Sequence, residues 1–315
     1  MKNLFIIDPI EHLNFKKDSS IMMMSSSLKF NNQTYYTTLD ELSVENKLSY
    51  CNAQEISFNQ NNLSHYKLNN KVKIALNSFD VIFMRKEPPF DLEYIYATYA
   101  LDLAKKSGVL VVNDPSALRD ANEKFYITHF PEYIPKTLIT RKKSDIASFL
   151  NTNKDIIIKP LDGMGGSSIF RVQEGDTNFN VISEVITYHE KKFVMVQEYL
   201  PAIQDGDKRI IIINGKPMKY SLARLAKKGE NRANLAAGGS SEVRPLSIEE
   251  SKIAEDIGKE LKQKGILFAG VDMIGNKITE INITCPTCLQ EINKETNHNG
   301  ADYLMSEIEK IRTSS

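Results

Sequence analysis

The sequence predicts an α/β or α+β fold with several sheets, and three observations carry the prediction. Short runs rich in Val, Ile or Phe, each bounded by Asp, Asn, Gly or Pro, alternate with longer stretches of helical spacing. One segment, Ser247–Lys264, has a full set of helix signals: Ser247 and Glu250 at capping-box spacing, Ile253, Ile257 and Leu261 on one face, and a stop at Gly265. The second half also holds two tight-turn dipeptides between apolar runs, Asn214-Gly215 and Gly275-Asn276, which read as hairpins.

In chain order, the candidate strands are Asn3–Asp8, Asp80–Arg85, Val109–Asn113, Asp155–Lys159, Phe193–Glu198, Lys208–Ile213, Phe268–Ile274 and Lys277–Thr284. Asp91–Lys106 has helical spacing and ends just before Gly108. The stretch from Asn31 to Lys71 is rich in Asn, Ser and Tyr with weak periodicity, and reads as an irregular excursion within a first domain. Near Asp120–Lys124 the parallel-sheet rhythm stops, and lysines, glycines and hairpin signals take over. The expected division is therefore residues 1–122 and 123–315.

Lys plus Arg and Asp plus Glu number 40 each, so the net charge is zero. That balance gives no global pull towards nucleic acid or an anionic membrane, and any anionic substrate must be held by locally placed cations. The opening MKNLFIIDP is too short for a signal-peptide core, and no run approaches the ~20 apolar residues of a spanning helix. The expected compartment is the cytoplasm. Cys51, Cys285 and Cys288 are too few for a disulfide framework, which fits a reducing environment.

Three segments carry chemistry. In Ile156–Arg171 a strand ends at Lys159-Pro160, a glycine-rich loop follows, and a second strand begins at Ser168. Gly163, Gly165 and Gly166 allow positive φ and bring backbone N–H groups close to an anion, with the Lys159 ammonium beside them. The spacing is neither a Walker loop nor a dinucleotide fingerprint, and a plain hairpin turn with a surface lysine reads equally well. In Phe193–Asp207 an apolar strand leads into Gln197, Glu198, Tyr199 and Leu200, whose backbone could meet an adenine edge, and Asp207 could take ribose hydroxyls. A bare strand and turn is the alternative. Third, Glu280 and Asn282 lie at i and i+2 on one strand face, with Asp272 able to face them from the partner strand. An all-oxygen set of this kind suits Mg²⁺, with a solvated polar face as the alternative.

Arg209 and Arg224 flank the Lys208–Leu225 hairpin. Residues 227–241 follow without apolar period, and are either an active-site lid or a disordered loop. Cys285 and Cys288 have C-x-x-C spacing but no second pair, and read as small residues at a strand end. His129 and His189 fall in helical-looking segments, and Met22–Met24 read as buried helix packing.

Taken in order, Asn122-Glu123-Lys124, KPLDGMGGSSIF, QEYLPAIQDGDKR, ARLAKKGENRANLAAGG and EINITCPT resemble the bacterial glutathione synthetase pattern of the ATP-grasp superfamily. The start IIDPIEHLNFKKDSS and FMRKEPPFD also fit, so the likeness runs over nearly the whole chain. It implies an ATP-grasp fold preceded by an N-terminal α/β domain with a parallel sheet, the ATP-grasp part dividing into 123–199 and 200–315.

The resemblance further implies that Lys124 and Lys159 contact the ATP phosphates and that the Gly163–Ser167 loop, with Gly165 and Gly166, folds over them. Gln197, Glu198, Tyr199 and Leu200 would line the adenine, with Asp207 near the ribose. Asp272, Glu280 and Asn282 would hold two Mg²⁺ ions, with Mn²⁺ as a substitute. Arg209 and Arg224 would stabilise the transferred phosphoryl group, and 227–241, including Gly239, would close over the site. Lys17, Asp18, Ser19, Arg85, Asn282, Pro286 and Thr287 would bind the dipeptide. The implied reaction joins glycine to γ-glutamylcysteine through an acyl phosphate, in a homotetramer. Ser240-Ser241-Glu242, Cys285 and the Asn-rich 52–70 stretch depart from the usual pattern. The rivals are an ATP-grasp ligase for other partners, such as a D-alanine–D-alanine ligase, and an ATP-binding sensor without ligase activity.

Overall fold

The computed structural model describes residues 1–59, 61–163, 165–225 and 240–314. The first sheet contains β1 (Lys2–Ile6), β2 (Gln33–Thr37), β3 (Leu42–Glu45), β4 (Leu48–Asn59), β5 (Asn62–Leu68), β6 (Val72–Ala75), β7 (Val81–Met84) and β8 (Leu110–Val112). Its centre is parallel, with β1 between β2 and β7 and with β8 beside β7. Alternation sends Leu4 and Ile6 to one face and Phe5 to the other, and both faces are covered. Helix α1 (Ser19–Lys29) packs on the Phe5 face through Ile21, Met23 and Met24. Helix α2 (Leu92–Lys106) packs on the Leu4 face through Tyr94, Ala97 and Leu101, joined there by α3 (Pro115–Asp120).

The expected irregular excursion over 31–71 is instead sheet. Strand β4 pairs with β2, β3, β5 and β6. Ser49, Cys51 and Ala53 are buried on one side of it, alternating with Tyr50, Asn52 and Gln54 on the other. Small inward residues hide the apolar alternation that normally announces a strand.

A second, antiparallel sheet holds β9 (Thr137–Thr140), β10 (Asp155–Pro160), β11 (Phe170–Gln173) and β12 (Val194–Glu198), in the order β11-β10-β12-β9. With α4 (Lys143–Asn153) and α5 (Phe179–Ile186) it closes a core of its own around Ile146, Ile156, Ile158, Val172 and Val196. The strand expected from Ser168 begins two residues later, because Ser168 adopts a positive φ of 57°. His189 lies not in a helix but in the turn after α5, at φ 53°.

The third sheet is antiparallel, in the order β15-β14-β13-β16-β17: β13 (Asp207–Ile213), β14 (Lys216–Leu225), β15 (Ser240–Pro245), β16 (Phe268–Ile274) and β17 (Lys277–Asn282). Both hairpins turn at the expected dipeptides. Helix α6 (Ile248–Gln263) covers the Ile210/Ile212 face and starts with the expected capping box at Ser247 and Glu250. Helices α7 (Leu289–Thr296) and α8 (Gly300–Ser314) cover the Ile211/Ile213 face. Both apolar clusters run on into the first sheet, so the first and third sheets share their cores.

One side chain joins these sheets. Buried Asn113, just past β8, donates through Nδ2 to the Phe268 and Ile283 carbonyls at 2.7 Å each. Its Oδ1 accepts from the N–H groups of Leu267 and Phe268 at 2.8 and 2.9 Å. The amide is fully used, and its loss would orphan buried backbone groups on both strands next to the site. Asn113→Ala is expected to lower unfolding stability by about 3 kcal/mol; equilibrium urea denaturation checks this against the wild type.

Candidate active site

Period-2 alternation builds the floor of the site. On β13 the face that buries Ile211 and Ile213 continues to Arg209 and Asp207; on β14 it runs from Leu222 to Arg224, and on β16 from Phe268 to Asp272. Register sets Arg209 opposite Asp272 and Asp207 opposite Arg224. Arg209 donates through Nε and Nη2 to the two Asp272 oxygens at 2.7 Å each. Arg224 Nη2 bridges Asp207 at 2.6 Å and Asp272 at 2.8 Å. Burial opposes ionisation of Asp272, but the two guanidiniums outweigh it and hold its carboxyl well below the usual range. Burial pushes Asp207 up to about 6, with Arg224 only partly offsetting it.

The wall comes from the second sheet and the segment before it. Buried Lys159, at the end of β10, donates to the Thr279 carbonyl at 3.0 Å, so it spans from the second sheet to β17. Lys124 pairs with Glu280 at 2.8 Å and donates to the Gly163 carbonyl at 2.5 Å. Gly165 and Gly166 take φ of 64° and 79°. Gly163 does not need positive φ as expected; it matters as space, since a Cβ there would sit 2.7 Å from Pro160 Cγ. Arg171, held by Asp155 at 2.6 Å, stacks on the Tyr199 ring at 3.6 Å. The Glu198 carboxylate accepts from the Lys136 N–H at 3.0 Å.

These groups surround one cavity of about 320 Å³. Of the residues expected from sequence, Lys124, Lys159, Gly163, Gly165, Gly166, Gln197, Glu198, Tyr199, Leu200, Asp207, Arg209, Arg224, Asp272, Glu280, Asn282 and Thr287 line it. Lys17, Asp18, Ser19, Arg85 and Pro286 do not. Asp18 caps α1 through the N–H groups of Ser20 and Ile21. Ser19 accepts from the Leu289 N–H at 3.3 Å. Arg85 donates to the Pro286 carbonyl at 2.8 Å, one residue from the cavity wall at Cys285. Gly239 and residues 227–238 of the expected lid lie outside the described residues.

Sequence reasoning gave no role to several lining residues. Ile157 and Ile203 lie on the wall near the Gln197–Leu200 segment, and Cys285 and Cys288 line the site instead of merely ending a strand. Burial pushes the Cys285 thiol up to about 12, so it is no ready nucleophile. Glu123 also lines the cavity, and burial, then Glu280, pushes its carboxyl up. Its place in Asn122-Glu123-Lys124 was the only available signal.

Asp207 Oδ1, Arg224 Nε and Arg85 Nη1 are buried without a hydrogen-bond partner among the described residues. Such atoms cost free energy until a ligand completes them. Asp272 and Asn282 are in contact, with Asn282 Nδ2 3.3 Å from Asp272 Oδ2, and Glu280 is opposite Asp272 in the ladder. These hard oxygen donors fit a magnesium-sized cation. Among the described residues no group of three or more His, Cys, Asp or Glu could hold a metal, so an ion here needs oxygens from a ligand as well. Two cationic lysines, two arginines and oxygen donors around one cavity can bind a polyphosphate and neutralise charge moving between oxygens.

Residues 1–119 match the family profile described as "Prokaryotic glutathione synthetase, N-terminal domain", and residues 123–297 match "Prokaryotic glutathione synthetase, ATP-grasp domain". A glutathione synthetase of Vibrio cholerae is 47% identical over 305 residues, covering 97% of this chain and 96% of that protein. One from Escherichia coli O127:H6 is 46% identical over 304 residues, covering 96% of each. Among solved structures, the D-cycloserine synthetase DcsG superposes with a TM-score of 0.69 at 12% identity, covering 98% of this chain and 99% of that one. At that identity it shows the fold alone, an ATP-grasp ligase fold like that of PsnB, at a TM-score of 0.65 and 13% identity, covering 98% of each chain.

Burial lowers Lys159 to about 8, and neighbouring Glu280 only partly restores it. The charged form is the one a phosphate prefers, so nucleotide affinity should be full below about pH 8 and fall as pH rises through it. The limiting slope is about tenfold per pH unit. Equilibrium binding of a non-hydrolysable ATP analogue across that range checks this, and Lys159→Arg, whose guanidinium stays charged, should flatten the profile.

Proposed function

The chain belongs to the prokaryotic glutathione synthetase family, and we propose that this ATP-dependent ligase joins glycine to the cysteinyl carboxylate of γ-glutamylcysteine through an acyl phosphate. The products are glutathione, ADP and phosphate. The observation that carries the reading is the convergence of Lys124, Lys159, Arg209, Arg224, Asp272, Glu280 and Asn282 on one cavity.

The chemistry asks for this set. An amine cannot displace oxygen from a carboxylate until that oxygen becomes a good leaving group, and phosphorylation makes it one. Phosphoryl transfer depends on positioning and charge neutralisation more than on a protein nucleophile. Lys124 and Lys159 bind the ATP phosphates by exchanging the partners they hold here, Glu280 and Thr279, for phosphate oxygens. The Gly163–Ser167 loop supplies backbone donors over them. Gln197, Glu198, Tyr199 and Leu200 line the adenine, and the unpartnered Asp207 oxygen accepts from a ribose hydroxyl.

Arg209 and Arg224 are fixed by Asp272 before any ligand arrives, so they stabilise the moving phosphoryl group and the tetrahedral intermediate with little reorganisation. Asp272, Glu280 and Asn282 would hold two Mg²⁺ ions, or Mn²⁺ in their place, whose charge offsets that of the phosphates. Lys17, Asp18, Ser19, Arg85, Asn282, Pro286 and Thr287 receive the dipeptide. The working form is a homotetramer in the cytoplasm, with small-molecule partners and no nucleic acid. No helix among the described residues is long and apolar enough to cross a membrane.

Phosphate release from Mg²⁺-ATP, followed with γ-glutamylcysteine in the presence and absence of glycine, tests the reading. Sustained release should need both, with glutathione formed one for one with phosphate. ATP turnover only with another carboxylate and amine would redirect the substrate assignment, and none with any pair would favour an ATP-binding sensor.

A further inference from the structure

Glu123 is a cavity-lining carboxylate that the chemistry above leaves without a task. Its surroundings are unusual. A single oxygen, Oε1, accepts from the Ile283 N–H at 3.2 Å, the Thr284 N–H at 3.3 Å and the Thr284 hydroxyl at 2.7 Å. The Glu123 backbone carbonyl accepts from the Ile281 N–H at 2.8 Å. One residue thus fixes the chain on both sides of Asn282, and the same chain continues directly to Cys285 and Thr287 on the cavity wall.

The neighbours of Glu123 reach the other way. Asn122 accepts from the Lys124 and Phe125 N–H groups at 3.2 and 2.8 Å, fixing the local backbone, and donates to the Leu161 carbonyl at 3.3 Å. Lys124 donates to the Gly163 carbonyl. Residues 122–124 therefore tie the glycine loop to the end of β17, where Glu280 and Asn282 sit. One acceptor oxygen shared by three donors, two of them backbone N–H groups, is geometrically strict.

We infer that Glu123 is a positioning residue, which through Oε1 holds the 281–284 segment so that the oxygen donors of β17 stand at a fixed offset from Lys124 and the glycine loop. The inference rests on the ATP-ligase reading of the site. It assigns Glu123 no contact with the reacting atoms; its effect passes through Asn282 and Glu280 to the metal–nucleotide complex. What matters is the reach and the acceptor, not the negative charge. Aspartate keeps the charge but is one methylene too short, whereas glutamine keeps the length and an acceptor oxygen.

The test measures the affinity of a non-hydrolysable ATP analogue for the full chain with Mg²⁺ and with EDTA, alongside the thermal midpoint. Glu123→Asp should reduce the Mg²⁺-dependent gain in affinity at least about tenfold, while Glu123→Gln stays within about threefold of wild type. Thr284→Val, which removes one donor and leaves Glu123 in place, should weaken the gain in the same direction by a smaller factor. Thermal midpoints within a few degrees of wild type would accompany these changes. The inference is overturned if Glu123→Asp keeps the full Mg²⁺-dependent gain, or if Glu123→Gln loses as much as Glu123→Asp. It is equally overturned if all losses track lowered thermal midpoints. A wild-type protein that binds no Mg²⁺-nucleotide would instead overturn the ATP-ligase reading, before any variant is compared.

Discussion

The structure turns on a buried charge cluster in the third sheet, in which Asp272 is shared by Arg209 and Arg224 while Arg224 also holds Asp207. Two acids and two bases on adjacent strands balance in charge, but removing them from water still costs several kcal/mol per ion before pairing offsets it. Replacing the set with apolar residues would make an equally good or better core. The sheet carries it all the same, with helices on both faces and with Asp207 and Arg224 each keeping one polar atom without a partner among the described residues. A cluster that is balanced but incomplete suits a ligand bearing phosphate and metal charge, which would complete it.

Other features follow from holding that cluster in place. Gly270 leaves room for Pro286 and Arg209, since a Cβ there would lie 3.0 Å from Pro286 Cβ and 3.2 Å from Arg209 Cδ. Asn113 fixes the start of β16 and the end of the β17 chain to the first sheet. The second sheet has a core of its own and meets the cluster through long side chains, Lys159 reaching Thr279 and Lys124 joining Glu280 to Gly163. On the proposed reading, those lysine contacts are the ones an incoming polyphosphate would replace.

Much of this was legible in the sequence, for identifiable reasons. The β13–β14 and β16–β17 hairpins announced themselves through Asn-Gly and Gly-Asn turns, and α6 through its capping box, because those signals are local. The glycine loop was legible as backbone needing positive φ, which Gly165 and Gly166 adopt, although Gly163 serves by its size and not by its φ. The 31–71 region was misread because the buried side of β4 is Ser49, Cys51 and Ala53, residues with no apolar period to detect. The pairing of Asp207 with Arg224 was not legible, because the two are seventeen residues apart and register brings them together. Glu123 was invisible as an anchor for a parallel reason: its three donors lie about 160 residues on.

On the proposed function, the γ-phosphoryl group of ATP passes to a carboxylate beside these fixed cations and ADP leaves, and the fate of one oxygen tests this most directly. With γ-glutamylcysteine carrying ¹⁸O in both oxygens of its cysteinyl carboxylate, one label should leave in the released phosphate for each glutathione made. The other should remain in the new amide. Phosphate free of label, with peptide still forming, would contradict the acyl phosphate and with it the role given to the Arg209–Arg224–Asp272 cluster.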